Sequence, residues 1–381
     1  MPSLVDVWGA GARRRLASPS GGPRLVAVAL VLASASGCVS KSPVTFGVVL
    51  DSDGVRGATV AMEQINAAGG VNGRRIVLRN VGGATTNKAR VALETAETLA
   101  RDPAVLGVVG HTNSATSLAA SQVYNMNRVV QIAPTSSTPI YSAAGPYSFR
   151  LVGSDIHQGL FLANEVLTRH PRPRTAVLFV NDDYGRPLRD VLVERLQQGG
   201  LTPVHDAPFF EGASDATRAE MVAALARSRP DLLLWIGRSY EYLPLVRMIH
   251  SRLPKIEVIA SDGFSGGGVT NDTLHLLDGV SYVRLLSVQL PDSALGALRE
   301  RYRINGWGEP TDQAILSYDA VLLLSEAVRA VGPSREEIRE WVSKVGREHP
   351  AVLGASGPIA FTAEGDREAS YSLEMIGWRR R

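Results

Sequence analysis

The sequence predicts an α/β protein with two lobes, each built on a parallel sheet that is covered by helices. From Val44 onward, short apolar runs alternate with amphipathic segments, and after Arg150 the same pattern resumes. Alternating strands and helices form parallel sheets with helices on both faces. The chain has 381 residues, more than a single hydrophobic core usually supports. The two blocks of alternation therefore predict two Rossmann-like lobes.

The first block begins with a strand and keeps a regular order up to Ile132. Its predicted strands are Val44–Leu50, Arg75–Arg79, Val105–Val109 and Val129–Ile132, and its predicted helices are Gly57–Ala68, Lys88–Ala100 and Ser114–Met126. The second block starts with a helix. Its predicted helices are Asp155–Thr168, Arg186–Gln198, Ala216–Arg227 and Tyr240–Arg252, and its predicted strands are Ala176–Val180, Leu232–Ile236 and Glu257–Ala260.

The N-terminal segment has the pattern of a secretory signal. Arginines at 13–15 and 24 precede an apolar run over 25–35, which ends in Ser36-Gly37-Cys38. A basic start, a short apolar stretch and small residues before a cleavage site are typical of export signals. The apolar run is shorter than the roughly 20 residues that span a bilayer. We therefore expect residues 1–37 to be removed.

Cys38 is the only cysteine of the chain. Its position after Ser-Gly resembles the lipobox of bacterial lipoproteins, in which the thiol is lipidated, so we expect an exported protein held at the membrane by a lipid on Cys38. The alternative is an ordinary cleaved signal with an incidental thiol. A single exposed cysteine would be a reactive liability in an exported protein.

The charge of the chain excludes one class of partner. Residues 1–37 contain four Arg and one Asp, a net charge of +3, and the whole chain has the same net charge. The remaining body is thus formally neutral. Binding to nucleic acid depends on clustered positive charge, so we expect no nucleic-acid partner.

Two loops after neighbouring strands are the strongest candidates for a ligand site. Ligands of parallel sheets lie beyond the carboxyl ends of the strands. The loop 110–114 opens a helix, whose free N–H groups and dipole favour an anion. The loop 133–139 is rich in hydroxyls. Together they predict a carboxylate site. The alternative is that Ser114 is only a helix N-cap and that the second loop has no special role.

Motifs for catalysis, nucleotides or metals are absent from the sequence. His111 and Ser114 are close, but no G-x-S-x-G nucleophile elbow is present. Asp182-Asp183 and the histidines lack the spacing of metal ligands. Neither G-x-G-x-x-G nor G-x-x-x-x-G-K-[ST] occurs. We therefore expect no enzyme activity, no cofactor and no metal.

A series of motifs in a fixed order carries a family resemblance. They are Phe46–Val49, Gly57-Ala58, the Ile-Asn-Ala-Ala-Gly-Gly-Val-Asn-Gly-Arg stretch from Ile65 to Arg74, Val108–His111, Ala133–Ser137, Phe149-Arg150, Asp183–Gly185, Asp262-Gly263 and Tyr318–Ala320. From about Val44 to Gly377 the sequence resembles the leucine/isoleucine/valine-binding protein family, the type I periplasmic binding proteins of branched-chain amino-acid ABC importers.

The resemblance implies the type I periplasmic-binding-protein fold, with two lobes joined by a three-strand hinge. Lobe 1 would comprise 38–150 plus 286–357, and lobe 2 would comprise 151–285 plus 358–381. It further implies a monomer at the cell surface or in the periplasm that closes on a small amino acid or related amide and delivers it to an ABC permease. The alternative from the same fold is a ligand sensor or a regulatory lipoprotein of the envelope.

Site residues follow from the same resemblance. Ser114, Ser136 and Ser137 match the residues that receive the α-carboxylate. Tyr184 matches the aromatic residue of lobe 2 that closes over the ligand, and Asp262 matches the acid that faces the α-ammonium.

The sequence departs from the family at three places. Arg238 stands where the family has a tyrosine, the first loop at 51–54 is shorter and lacks the aromatic residue that covers the ligand side chain, and Thr85 and Asn113 replace a cysteine pair. Arg238 has three interpretations. It contacts a second carboxylate or a carbonyl of the ligand, it forms a salt bridge with Asp262, or it points to solvent.

Overall fold

The structure is a computed structural model that describes residues 42–81, 89–265, 272–286, 292–368 and 371–377. The predicted signal peptide, Cys38 and Thr85 lie outside these ranges. Among the described residues, no helix combines the length and the apolar character that crossing a membrane requires.

The first block folds into a five-stranded parallel sheet with the strand order β2-β1-β3-β4-β5. Every residue of β1 and β3 is buried, as expected for central strands covered on both faces. The strands are β1 Val44–Val49, β2 Ile76–Asn80, β3 Val105–Gly110, β4 Val130–Ala133 and β5 Ser148–Arg150, and the helices are α1 Ser52–Ala67, α2 Ala89–Ala100 and α3 Ser114–Met126.

The second block forms a six-stranded sheet with the order β13-β10-β9-β8-β6-β7. Its strands in this block are β6 Thr175–Val180, β7 His205–Phe209, β8 Leu232–Ile236, β9 Glu257–Ala260 and β10 Ser281–Arg284, and its helices are α4 Asp155–Arg169, α5 Gly185–Gln198, α6 Asp215–Arg227, α7 Ser239–Tyr242 and α8 Val246–Arg252. The single helix predicted over Tyr240–Arg252 is therefore two helices.

The remaining segment returns to the first core and then to the second sheet. It contains the helices α9 Asp292–Ile304, α10 Asp312–Val331 and α11 Arg335–Val342, and the strands β11 Val352–Gly354, β12 Gly357–Ile359 and β13 Ser372–Met375. Strands β11 and β12 pair with each other, whereas β13 pairs antiparallel to β10.

The packing of the apolar residues gives information on the final boundary between the lobes. The other lobe boundaries remain predictions. Ile359 and Phe361, which the sequence-based boundary assigns to lobe 2, pack in the core of the first sheet. Ile376 packs in the core of the second sheet. The packing thus favours a final boundary after Phe361, later than the predicted position at 357/358.

Helices α1 and α10 meet at a glycine. A Cβ atom added to Gly57 would lie 2.0 Å from the carbonyl oxygen of Ala314, which no side chain allows. The two helices therefore approach backbone to backbone, and Gly57 is required for this contact. This packing holds the first turn of α10 against α1.

Candidate functional site

A cavity of about 100 Å³ lies where the loops after β3, β4, β6, β8 and β9 meet. This is the place where parallel sheets bind ligands. Its wall on the side of the first core is formed by Thr112, Asn113, Ser114, Thr135, Leu285 and Gln313, and its wall on the side of the second core by Tyr184, Arg238, Tyr240, Asp262, Gly263 and Ser265. Four of the six predicted site residues therefore line one cavity.

Ser114 reaches the cavity from the first turn of α3. It is the first residue of the helix, while Asn113 occupies the N-cap position and makes no capping bond with its side chain. The interpretation of Ser114 as an N-cap is therefore wrong by one residue. Ser114 is buried, and its Oγ accepts a 3.4 Å hydrogen bond from the Thr138 N–H. This contact joins the two predicted anion-binding loops.

The structure places Thr135 in the cavity wall, and Ser136 and Ser137 behind it. The Ser136 hydroxyl is fully buried and donates to Ser117 Oγ at 2.6 Å. Ser137 Oγ is buried next to the Asp155 carboxyl group, whose charged form it stabilises. A carboxylate contact from either serine stays a prediction. Thr135 was missed because a hydroxyl-rich loop does not reveal which of its side chains faces the ligand.

Asp262 is held in place through one of its carboxylate oxygens. Tyr184 donates its hydroxyl hydrogen to Asp262 Oδ1 at 2.6 Å, and Gln158 Nε2 donates to the same oxygen at 2.7 Å. The Asp262 N–H donates in turn to Gln158 Oε1 at 2.9 Å. The Gly263 N–H further stabilises the charged form of the Asp262 carboxylate. Asp262 also lines the cavity, so its carboxylate is placed to meet a ligand there.

A second carboxyl group lies behind Asp262. Asp155 is fully buried at the start of α4, and Gln158 Nε2 also donates to Asp155 Oδ1 at 3.2 Å. Burial, reinforced by the charge of Asp262, raises the pKa of Asp155 well above its usual range. Burial also raises the pKa of Asp262, but Tyr184 and Gln158 stabilise its charged form. Asp262 is therefore the better-stabilised carboxylate of the two.

Arg238 lies in the cavity wall and is paired within the second lobe. Its guanidinium donates to Asp182 at 2.9 Å and to Glu241 at 3.3 Å, and it lies over the Tyr184 ring at 5.5 Å. Only 8% of Arg238 is exposed. The solvent-facing interpretation is therefore wrong. The salt bridge predicted with Asp262 is not formed, because Asp182 and Glu241 are the acids that pair with Arg238.

The geometry of His111 does not support a hydrolase. His111 is buried, with Nε2 3.2 Å from the Tyr124 hydroxyl, and burial lowers its pKa to about 3. The His111 N–H and carbonyl both bond to Ser117 Oγ. Within the described residues, no group of three or more His, Cys, Asp or Glu side chains could hold a metal ion.

The fold and the cavity between two lobes define the class of a two-lobed binding protein. Comparison with known proteins names the family. The family model for periplasmic binding proteins matches residues 46–378, so the chain belongs to the periplasmic binding protein family. This is a family of binding proteins and not of enzymes. The predicted fold and the recognised resemblance are confirmed.

Several relatives are similar over most of their length. The "Leu/Ile/Val-binding protein homolog 1" of Brucella abortus is 26% identical over 318 residues, which are 82% of this chain and 81% of the relative. An "Amino acid binding protein" of Pseudomonas aeruginosa is 28% identical over 324 residues, covering 83% and 82% of the two chains.

Solved structures show the same fold at lower identity. The branched-chain amino acid transporter substrate-binding protein LivJ of Streptococcus pneumoniae, in complex with isoleucine, matches with a TM-score of 0.78 and 20% identity over 88% of this chain and 96% of that chain. The leucine-binding protein LivK of Thermotoga maritima matches with a TM-score of 0.76 and 20% identity, with the same coverage.

Proposed function

We propose that this protein captures a small amino-acid-like ligand between its lobes outside the cytoplasm and delivers it to an ABC importer. The observation that supports the proposal is the Asp262 carboxylate, which lines a cavity that also contains the start of α3. Asp262 offers a negative charge to an ammonium group. The N-terminus of α3 and the hydroxyls of Ser114 and Thr135 suit a carboxylate.

The names of the relatives support this ligand class. Relatives that match most of this chain are named amino acid binding protein or Leu/Ile/Val-binding protein homolog. Closure would follow from a hinge motion of the two lobes around the ligand, with Tyr184 and Arg238 approaching from the second lobe. We further propose that the protein acts as a monomer and that the closed form is recognised by the permease.

Binding to a panel of small molecules tests the ligand class. The exported protein is titrated calorimetrically with the twenty L-amino acids, and each compound that binds is compared with its α-keto acid and its decarboxylated amine. We expect at least one amino acid to bind and both analogues to bind at least about tenfold more weakly, since each lacks one charged partner. Binding of an analogue as tight as that of the parent would contradict the proposed head-group contacts.

We also propose the lipid anchor at Cys38, from the small residues that precede this cysteine after an apolar run. The variant Cys38→Ser is expected to stay unprocessed or to leave the membrane fraction, because the thiol is the group that is acylated. Cell fractionation and intact mass spectrometry measure both outcomes. A Cys38→Ser protein that is processed and membrane-bound like the wild type would rule out lipidation.

A further inference from the structure

Arg238 is held by two carboxylates in the wall of the cavity. Its guanidinium donates to Asp182 Oδ2 at 2.9 Å and to Glu241 Oε1 at 3.3 Å, and its backbone N–H donates to Glu241 Oε2 at 2.7 Å. None of the three side chains is more than 14% exposed. Two acids against one guanidinium leave no net positive charge here to attract a second carboxylate of a ligand.

Asp182 and Arg238 together fix the position of Tyr184. Asp182 Oδ1 accepts hydrogen bonds from the N–H groups of Tyr184 and Gly185, each at 2.9 Å. The central carbon of the Arg238 guanidinium lies 5.5 Å from the centroid of the Tyr184 ring, and a guanidinium over an aromatic face is attracted to it. Asp182 therefore holds the backbone of Tyr184, while Arg238 holds its ring. The hydroxyl of this ring donates to Asp262, so a change at Arg238 reaches the carboxylate of the site.

The charge of Arg238 also favours the ionised form of Asp262. Burial raises the pKa of Asp262, and the Arg238 charge is one of the influences that lower it. A carboxylate is stabilised by a positive charge nearby. The titratable and charged groups around this carboxylate are Tyr184, Arg238, Asp155 and Tyr371, with Arg150 and Asp182 acting on Asp155.

We propose that Arg238 is a positioning residue of the ligand site, which orients Tyr184 and keeps Asp262 ionised for the ligand ammonium. It acts through these two residues and does not bind a second carboxylate of the ligand. The inference rests on the proposed function, since it assumes that the α-ammonium binds Asp262. It also explains how an arginine can stand where the family has a tyrosine, because this cation is neutralised by acids of its own lobe.

The test measures affinity against pH by calorimetry, with the L-amino acid that binds the wild type most tightly among the twenty as the probe. In Arg238→Gln, affinity at neutral pH should fall about ten- to a hundredfold. Its loss on acidification should begin about one pH unit higher than in the wild type, because the missing positive charge raises the pKa of Asp262. Arg238→Lys keeps the charge but not the planar group, so it should keep the wild-type pH profile with affinity about three- to tenfold lower.

A second measurement needs no ligand. Carbon-13 NMR of protein with labelled aspartate follows the titration of the Asp262 carboxyl group, whose resonance is identified by its absence in Asp262→Asn. The pKa of Asp262 should be higher in Arg238→Gln than in the wild type or in Arg238→Lys. If Arg238→Gln does not fold, Arg238→Lys decides alone, and affinity within about threefold of the wild type would then overturn the proposal.

The matched control is Arg189 on α5, which also has two acidic partners and an aromatic ring. It donates to Asp190 at 2.8 Å and to Asp206 at 3.0 Å, and its guanidinium carbon lies 5.6 Å from the centroid of the Phe179 ring. It is not among the described residues that line the cavity. Arg189→Gln and Arg189→Lys should therefore keep the wild-type affinity and pH profile.

The outcomes separate this inference from the proposed function. An Arg238→Gln variant that matches Arg189→Gln in affinity and pH profile would overturn the role of Arg238 and leave the proposed function intact. The same holds if Arg238→Gln weakens only the binding of L-aspartate and L-glutamate, since Arg238 would then bind a ligand carboxylate. A wild type that binds none of the twenty amino acids would overturn the proposed function and this inference with it.

Discussion

Replacing Asp262 by Asn is expected to abolish most ligand binding while leaving the fold intact. The amide oxygen of Asn can still accept the hydrogen bonds from Tyr184 and Gln158 that Asp262 Oδ1 accepts now. What is lost is the negative charge that we propose the ligand ammonium binds. Removing one member of a buried charged pair costs about 2–5 kcal/mol, so calorimetry should show affinity reduced about thirtyfold to several thousandfold.

The same variant should be more stable than the wild type without ligand. Burial raises the pKa of Asp262 above 3.8, so ionisation of this group disfavours the folded state. This cost is absent below pH 3.8 and grows as the pH rises through the pKa of the folded protein. The gain in free energy of unfolding from Asp262→Asn should therefore increase with pH, as urea unfolding at several pH values would show.

The control for this pair of effects is Asp190→Asn, which removes an exposed carboxylate from α5. In the control, neither the ligand affinity nor the pH dependence of the free energy of unfolding should change. If Asp262→Asn binds the ligand within about threefold of the wild type, Asp262 does not contact an ammonium group.

The second large effect is expected from Asp366→Ala. Arg150 at the end of β5 is fully buried, and its guanidinium donates to both carboxylate oxygens of Asp366, at 2.8 and 2.7 Å. It also donates to the Thr138 carbonyl at 2.8 Å and to Ser142 Oγ at 2.7 Å. Arginine stays protonated in proteins, so without Asp366 a buried charge remains unpaired. We expect a loss of about 3–5 kcal/mol in free energy of unfolding.

Urea unfolding measures this loss. The matched control is Glu97→Ala on α2, which removes the exposed partner of Arg101. Exposed pairs contribute at most about 1 kcal/mol. A loss from Asp366→Ala no larger than that of the control would show that the Thr138 and Ser142 contacts are enough to keep Arg150 buried.

The fold was predictable because its signals are local. Most buried strands and amphipathic helices of both blocks follow from the alternation of apolar residues, and the order of the motifs indicates the family. The short buried strand β5 was not predicted. Strand β7 was missed because it is the edge strand of its sheet, is only partly buried and contains Pro208. Edge strands lack the continuous apolar run that marks a buried strand.

The sequence predicted which loops form the site, but not all of the side chains that face it. Strand order indicates which loops meet, but not which side chain of a loop faces the ligand, so Ser136 was named and Thr135 was not. The partners of Arg238 depend on contacts over very different sequence separations, three residues to Glu241 and 56 to Asp182. Gln313 was not predicted because it lies in a helix and in none of the quoted motifs.

The contact of Gly57 with the backbone of Ala314 bears on the speed of ligand capture. At Gly57 the helices α1 and α10 meet backbone to backbone, and the Asp51 N–H donates to Thr112 Oγ1 at 3.0 Å, so α10, the first loop and the loop after β3 are tied to one another. Little reorganisation of the first lobe is then needed on encounter, and rigid surfaces associate faster than those that must rearrange. We therefore expect the association rate to depend on the first lobe, where the ligand would dock first. We expect the dissociation rate to depend on how fast the second lobe reopens.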